Sequence, residues 1–402
     1  MENPNDHCLN QIVKLETGLK PSSPYYYGYQ IMDRFADVIK EYHFDTLFLV
    51  TSPVINDLYG RDFIKYFQAQ SLPFKVIMIP EGERKKNFVT LSQLCEDLVA
   101  NEVSKDSIIL AFGGGVIGNI AGLAAALIYR GIRFVEIPTT IMGQTDSTLS
   151  NKQAINGQRG KNHFGVYHAP LLIWSDSAFL RSESPQYTKS GFVEAVKNGF
   201  ISDPDFLRYL EEVLNEDLVF SNEQFHQLIY RIILSKIKII QQDSSEKSFG
   251  IVLEYGHTFG HAIEWLVKGS LSHGESVAIG MCLAAELAFK LELLSREIVD
   301  RHYYVLGKKA GVNVALPPTI NTESLMEAIV SDNKRTAKGV RYILLEDIGR
   351  PSNAEGDYMV SVDANVVKDT INEFIKKNAI LNQEVMNASQ YKYGTNTARY
   401  TE

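Results

Sequence analysis

Between residues 45 and 140 two kinds of segment alternate, and this alternation limits the possible folds more than any other feature of the chain. "DTLFLVTS", "FKVIMIP", "SIILAFGGG" and "RFVEIPTT" are short apolar runs that end in turn residues, as buried strands do. Between them, "NFVTLSQLCEDLVANEV" repeats its apolar residues at helical spacing, and "NIAGLAAALIYRG" reads as a tightly packed helix. Strands buried on both faces and separated by helices imply a parallel sheet with covering helices. From about residue 178 long helical patterns dominate: "GFVEAVKNGFIS", "EQFHQLIYRIILSKIKIIQQD", "EYGHTFGHAIEWLVKG" and "GESVAIGMCLAAELAFKLELL". There only "VRYILLEDIG" reads as strand. The expectation is an α/β protein: a Rossmann-like parallel-sheet domain over residues 1–178, then a mostly α-helical domain over 179–380. Residues 381–402 are polar and aperiodic and read as a disordered tail.

Charge and composition exclude several classes. A net charge of -8 argues against a nucleic-acid footprint, although a local basic pocket for a small anion remains compatible with it. The three cysteines, Cys8, Cys95 and Cys282, have neither metal spacing nor the number for a disulfide framework, which suits a reducing compartment. The first residues lack a basic start followed by an apolar run, and the longest small apolar run, "IAGLAAALIY", is too short to span a bilayer. A soluble cytoplasmic protein, with no nucleic-acid or membrane partner, is expected.

The buried strand "SIILAFGGG" breaks into "GGGVIGNIAG", where Gly113, Gly115 and Gly118 satisfy G-x-G-x-x-G between strand and helix. Glycine lets backbone N–H groups approach a pyrophosphate, and the helix N-terminus supplies partial positive charge. A bare strand-to-helix turn has the same spacing, so context must decide. A dinucleotide site also needs an acid at a strand end, and Glu136 lies about twenty residues on. Pro138 follows at once, which suggests a different loop. "PEGERKK" offers Glu83 and Lys86 instead, though such runs are more often solvated charge.

Four further stretches carry ionisable groups. "TDSTLSNKQAINGQRGKNHFG" places Asp146, Lys152, Lys161 and Asn162 in a loop-rich segment. In "GFVEAVKNG", Glu194 and Lys197 share a helix face, and a surface ion pair is the simpler reading. In "EYGHTFGHAIE", Glu254, His257 and His261 are spaced three and four apart, so one helix would carry all three on one face. His273 follows in "LSHGESVA", and two histidines with a distant carboxylate make a common open zinc arrangement. "SDNKR" adds Lys334, for which a solvated basic patch is the simpler reading.

Taken together, "GGGVIGNIAG", "RGIRFVEIPTT", "DSTLSNKQAING", "GKN", "EAVKNG", "EYGHTFGHAIE", "HGESVAIGM" and "DNKR" occur in an order that resembles the sugar phosphate cyclases related to dehydroquinate synthase, over residues 45 to 350. The resemblance implies an NAD-binding domain, a helical domain and a divalent metal, zinc or cobalt. It implies Glu194, His257 and His273 as metal ligands, with His261 at the substrate phosphate in proton handling. Lys152, Asn162, Lys197, Lys236 and Lys334 match phosphate- and hydroxyl-binding positions, and Asp146 matches a substrate-hydroxyl contact. Arg130 matches an arginine that reaches the neighbouring subunit's site, which implies a homodimer. Glu83, Lys86, Gly113, Gly114, Gly115, Gly118, Asn119, Thr139 and Thr140 match cofactor positions. The catalytic set it implies is Lys152, Glu254, His261 and Asp146.

The departures select a branch. Dehydroquinate synthases carry Asn at the position of Glu254, and an upstream Arg for a substrate carboxylate; here "FGIVLEYGH" has neither. "EYGH", "GNIAG" and "SxKQA" resemble the 2-deoxy-scyllo-inosose synthases, which cyclise glucose 6-phosphate. The sedoheptulose 7-phosphate cyclases are the rival branch; many lack the histidine at position 261, although "GVYHAP" has their flavour. Iron-type alcohol dehydrogenases are the rival of a different class. Ser52 stands where relatives often have an Asp near the adenosine ribose.

Overall fold

The computed structural model describes residues 11–158, 160–244, 248–332 and 339–377. The chain divides into two compact units, Met1–Leu253 with Lys308–Gly311, and Glu254–Gly307 with Val312–Glu402.

The first unit is built on a seven-stranded sheet. Its strands are β1 (Val13–Glu16), β2 (Pro24–Gly28), β3 (Leu47–Thr51), β4 (Phe74–Met78), β5 (Ile108–Gly113), β6 (Arg133–Pro138) and, after a hairpin of β7 (Lys152–Gly157) and β8 (Gly160–Tyr167), β9 (Leu172–Asp176). The spatial order is β1-β2-β9-β6-β5-β3-β4, and only the β1–β2 pair is antiparallel. Its helices are α1 (Phe35–Ile39), the single turn α2 (Pro53–Ile55), α3 (Arg61–Ala69), α4 (Phe88–Ala100), α5 (Gly115–Leu127), α6 (Ile141–Thr145), α7 (Pro185–Ser202), α8 (Pro204–Val213) and α9 (Asn222–Gln242).

Alternation along β3 shows why the strand runs are apolar throughout. Phe48 and Val50 pack with Leu91, Leu94 and Ile120 from α4 and α5. Leu47 and Leu49, pointing the other way, pack with Phe35, Phe63 and Phe67 from α1 and α3. Both faces are covered, as the sequence pattern requires.

The first compact unit extends past residue 178, where a domain boundary is expected, to Leu253. The first long helices after residue 178 pack onto the sheet unit. Tyr27 on β2 donates its hydroxyl to the His226 carbonyl on α9 at 2.7 Å and stacks on the His226 ring. The segment expected as loop, 145–165, also differs: much of it is the β7–β8 hairpin. Alternating small and polar residues hid the strand pattern.

The second unit contains α10 (His257–Val267), α11 (His273–Lys290), α12 (Arg296–Tyr304) and α13 (Thr322–Asp332), with short strands β10 (Arg341–Tyr342), β11 (Leu345–Asp347), β12 (Arg350–Pro351) and β13 (Val360–Ser361). Helices α10 and α11 pack closely, and α10 also packs on α13. A capping box at Ser272 and Glu275 starts α11, each side chain meeting the other's backbone N–H. No helix among the described residues is long and apolar enough to cross a membrane. The tail at 381–402 and Lys334 lie outside the described residues.

Candidate active site

In the first unit, β5 ends at Gly113 and α5 begins at Gly115, so the helix N-terminus opens directly from the sheet. Gly114 is an extended N-cap without a side-chain cap, which leaves the first N–H groups of α5 to a ligand. A Cβ on Gly113 would lie 2.7 Å from Ile117 Cγ1 and could not fit without a shift, and one on Gly114 would lie a tight 3.0 Å from Thr140 Cγ2. Gly113, Gly114, Gly115, Gly118, Glu136 and Thr148 line a pocket here. Thr139 donates its N–H to the Gly113 carbonyl at 3.0 Å, and its buried hydroxyl oxygen has no protein partner. The bare glycines and this orphaned hydroxyl fit a dinucleotide pyrophosphate. Thr140, by contrast, commits its hydroxyl to capping α6, accepting from Gly143 N. Asn119 is also committed: it donates to the Gly115 carbonyl at 2.9 Å and accepts from Ala154 N at 3.0 Å, so it ties α5 to β7.

Glu136 lies on β6, beneath the turn. A Cβ on Gly118 would sit 3.7 Å from its Oε2, and Gln153 donates to its Oε1 at 3.2 Å. Burial pushes this carboxyl up to about 7. A buried acid at this depth is no ribose ligand, in keeping with the unfavourable sequence context of Pro138.

Glu83 and Lys86 are not the solvated pair that their charge run suggested. Asn156 donates to Glu83 Oε1 at 2.8 Å, and Lys86, itself buried, donates to Asn162 Oδ1 at 2.6 Å. The 83–86 turn is therefore stitched to the β7–β8 hairpin. Lys161 adds an ion pair to Glu83 at 3.4 Å. Lys152 begins β7, half-buried, just after the left-handed Asn151. Lys236 on α9 reaches the C-terminal end of α6, donating to the Asp146 carbonyl at 2.8 Å and to its carboxylate.

On α7 the sequence favoured a surface pair for Glu194 and Lys197, and the structure corrects this. Their side chains are 2% and 3% exposed and in direct contact. The reason is that α7 is buried along most of its length, from Thr188 to Ile201. A buried charged pair is costly to maintain for stability alone, so its place is a hint of function. Arg130 stands apart from these groups. It is exposed beyond α5, and Tyr129 and Arg130 are both left-handed, with φ of 51° and 68°. Two successive left-handed residues other than glycine are a strained connection.

In the second unit Glu254 does not share a helix face with the histidines. It ends a 3₁₀ turn (Phe249–Glu254), and Gly256 at φ 79° breaks the chain before α10 starts at His257. The helical spacing was correct for His257 and His261 only. The rings of His257, His261 and His273 form a triangle, with centroids 5.1, 5.4 and 5.8 Å apart. His257 Nδ1 lies 3.2 Å from the Tyr255 carbonyl, and His273 Nδ1 lies 3.1 Å from Glu264 Oε2. Both acceptors take a proton from Nδ1, so in the neutral ring the lone pair lies on Nε2, the arrangement usual for a metal-binding imidazole. Glu264 was missed from sequence. It follows His257 by seven residues and His261 by three, so helical spacing alone places it on their face.

Two family models match the chain, 3-dehydroquinate synthase N-terminal over residues 76–190 and 3-dehydroquinate synthase C-terminal over residues 191–335. The 2-deoxy-scyllo-inosose synthase of Micromonospora echinospora is 36% identical over 335 residues, 82% of this chain and 84% of that protein. A crystal structure of 2-deoxy-scyllo-inosose synthase with carbaglucose-6-phosphate, NAD+ and Co2+ superposes with a TM-score of 0.83 at 30% identity, covering 90% of this chain and all of that one. The 2-epi-5-epi-valiolone synthase of Streptomyces hygroscopicus, with NAD+ and Zn2+ bound, shares the fold at a TM-score of 0.78 and 23% identity, covering 89% and 97% of the two chains.

Proposed function

Because the chain belongs to the 3-dehydroquinate synthase family, we propose that it cyclises glucose 6-phosphate to 2-deoxy-scyllo-inosose with loss of phosphate, using NAD and a divalent metal. The observation that carries the substrate choice is Glu254, a carboxylate on the turn into α10, in a segment with no arginine from Phe249 to Gly256 to hold a substrate carboxylate. The similarity to the 2-deoxy-scyllo-inosose synthases supports the same choice.

The metal ligands we propose are Glu194, His257 and His273, one carboxylate and two imidazoles, a donor set suited to zinc or cobalt. The Nδ1 partners of both histidines support this set. The glycine turn holds the NAD pyrophosphate, with Thr139, Glu83 and Lys86 as further cofactor contacts. When bound, NAD would supply reversible hydride transfer at C4, and the cation would supply stabilisation of negative charge on the C4 oxygen.

The chain's own residues do the rest. The C5 proton is acidic only beside a C4 carbonyl, so its removal needs a base placed there and a phosphate held ready to leave. Lys152, Lys197, Lys236, Asn162 and Lys334 provide cationic and amide donors for phosphate and hydroxyls. Asp146, anchored by Lys236, accepts from a substrate hydroxyl. His261 faces the leaving phosphate and handles protons. Glu254 orients a hydroxyl or shuttles a proton, which an amide at that position could not do. Ring opening and an intramolecular aldol step between C6 and C1 then close the carbocycle.

The protein acts as a homodimer in which Arg130 completes the partner's site; the strained, exposed Tyr129–Arg130 turn supports this role. The test is phosphate release with NAD and Co2+ or Zn2+, comparing glucose 6-phosphate, sedoheptulose 7-phosphate and the dehydroquinate precursor. Release from glucose 6-phosphate without net NADH is expected. Release from sedoheptulose 7-phosphate alone would reject the substrate, and net NADH with an alcohol would indicate a dehydrogenase.

A further inference from the structure

A dinucleotide on a glycine turn extends its adenosine over the end of a neighbouring strand, where a carboxylate takes the ribose hydroxyls. The glycine strand β5 has two neighbours, β6 and β3. The β6 acid, Glu136, is buried beneath the turn and bonded to Gln153. Strand β3 ends at Thr51 and runs into Ser52, which has no charge. By position alone the ribose would lack its carboxylate.

A carboxylate is nevertheless present at that strand end. Strand β4 pairs in parallel with β3, with Thr51 opposite Met78, so the residues after the two strands emerge side by side. Glu81 follows β4 and is exposed, while Ser52 is fully buried. The Ser52 hydroxyl donates to Glu81 Oε2 at 2.8 Å. The same oxygen accepts from Ile55 N at 3.3 Å as the cap of α2, so its proton is directed at Glu81. Ser52 thus draws a carboxylate from the next strand to the end of β3.

We infer that Glu81, aimed by the Ser52 hydroxyl, accepts the adenosine ribose hydroxyls of bound NAD and makes this chain select NAD over its 2′-phosphorylated form. This rests on the reading that the glycine turn binds NAD. Oε2 takes the Ser52 proton, and Oε1 is the acceptor offered to the ribose. A phosphate on the 2′ oxygen would bring negative charge against the carboxylate, which repels it.

The test is isothermal titration calorimetry of the full-length protein with NAD and with NADP, without substrate. The variants are Glu81→Ala, Glu81→Gln, and Ser52→Asp combined with Glu81→Ala, each checked by circular dichroism and thermal melting for an intact fold. Glu81→Ala should weaken NAD roughly ten- to hundredfold, as expected for a hydrogen bond to a charged group, and leave NADP unchanged or tighter. Glu81→Gln should lose most of the NAD-over-NADP preference. The double variant should regain that preference, because its carboxylate then stands on β3 itself. A folded Glu81→Ala that keeps wild-type NAD affinity and the wild-type preference overturns the inference. A wild type that binds no NAD overturns both this inference and the cofactor reading beneath it.

Discussion

Glu264 determines which nitrogen of His273 can face a metal. Its carboxylate holds the Nδ1 proton, and an alanine there frees the ring to rotate and to change tautomer. Glu264→Ala should lower Co2+ affinity roughly ten- to hundredfold in titration of the metal-stripped protein, with Glu264→Gln falling between that variant and wild type. An unchanged affinity would remove Glu264 from the site. Glu254 is expected to act on the substrate instead. Glu254→Gln should lower the rate of phosphate release from glucose 6-phosphate by roughly 10²–10⁴, the usual worth of a general acid or base, with NAD and metal affinity retained. Full turnover with an unchanged product pattern would disprove the proton role. Glu254 was legible in the sequence from its motif, whereas Glu264 was missed, although its helical spacing from His257 and His261 could have found it. Only the left-handed Gly256 separated their roles, by ending one turn and starting another.

Helix α10 can present its histidines beside His273 because α10 and α11 approach closely. A Cβ on Gly280 would lie 2.1 Å from the Gly256 carbonyl oxygen and 2.7 Å from Gly260 N, both backbone atoms that cannot move aside. Gly280→Ala should therefore force the helices apart and destabilise the protein by about 1–3 kcal/mol, read as a lower Tm, with weaker Co2+ binding. Wild-type stability in that variant would show that the contact is loose. On β6, Glu136 makes stability depend on pH. Its carboxyl is raised to about 7 from an ordinary 4.5, so the native state holds a proton that the unfolded chain has released. That stabilisation is complete below about pH 4.5 and is lost as pH rises through 7. Relative to Glu136→Gln, the wild type should lose up to about 3 kcal/mol between pH 4.5 and 8, measured by thermal unfolding across that range. Glu183 is raised in the same direction but is common to both proteins, so it cancels in the comparison.

At the scale of the whole molecule, the homodimer proposal makes a prediction that no single-chain site shares. Arg130→Ala and Glu194→Ala should each abolish phosphate release. Co-expressed, they should recover activity, because one site of each mixed dimer would hold its own Glu194 and the partner's intact arginine. No recovery in verified mixed dimers would place Arg130 in its own chain's site. Chelation offers a simpler check: removing the metal should stop phosphate release, and Co2+ or Zn2+ should restore it.

The sequence by itself determined the doubly covered parallel sheet, the glycine turn, the helical second half and the ordered residues that mark the family. These rest on local periods and spacings, which a linear chain displays directly. Tertiary structure decided what depends on residues far apart in sequence. It carried the first compact unit on to Leu253, because the apolar faces of the first long helices bury against the sheet unit. It buried Glu194 and Lys197, since burial belongs to the packed helix and not to the i, i+3 spacing. It also brought Glu81 to Ser52, a contact that exists only because β3 and β4 lie side by side.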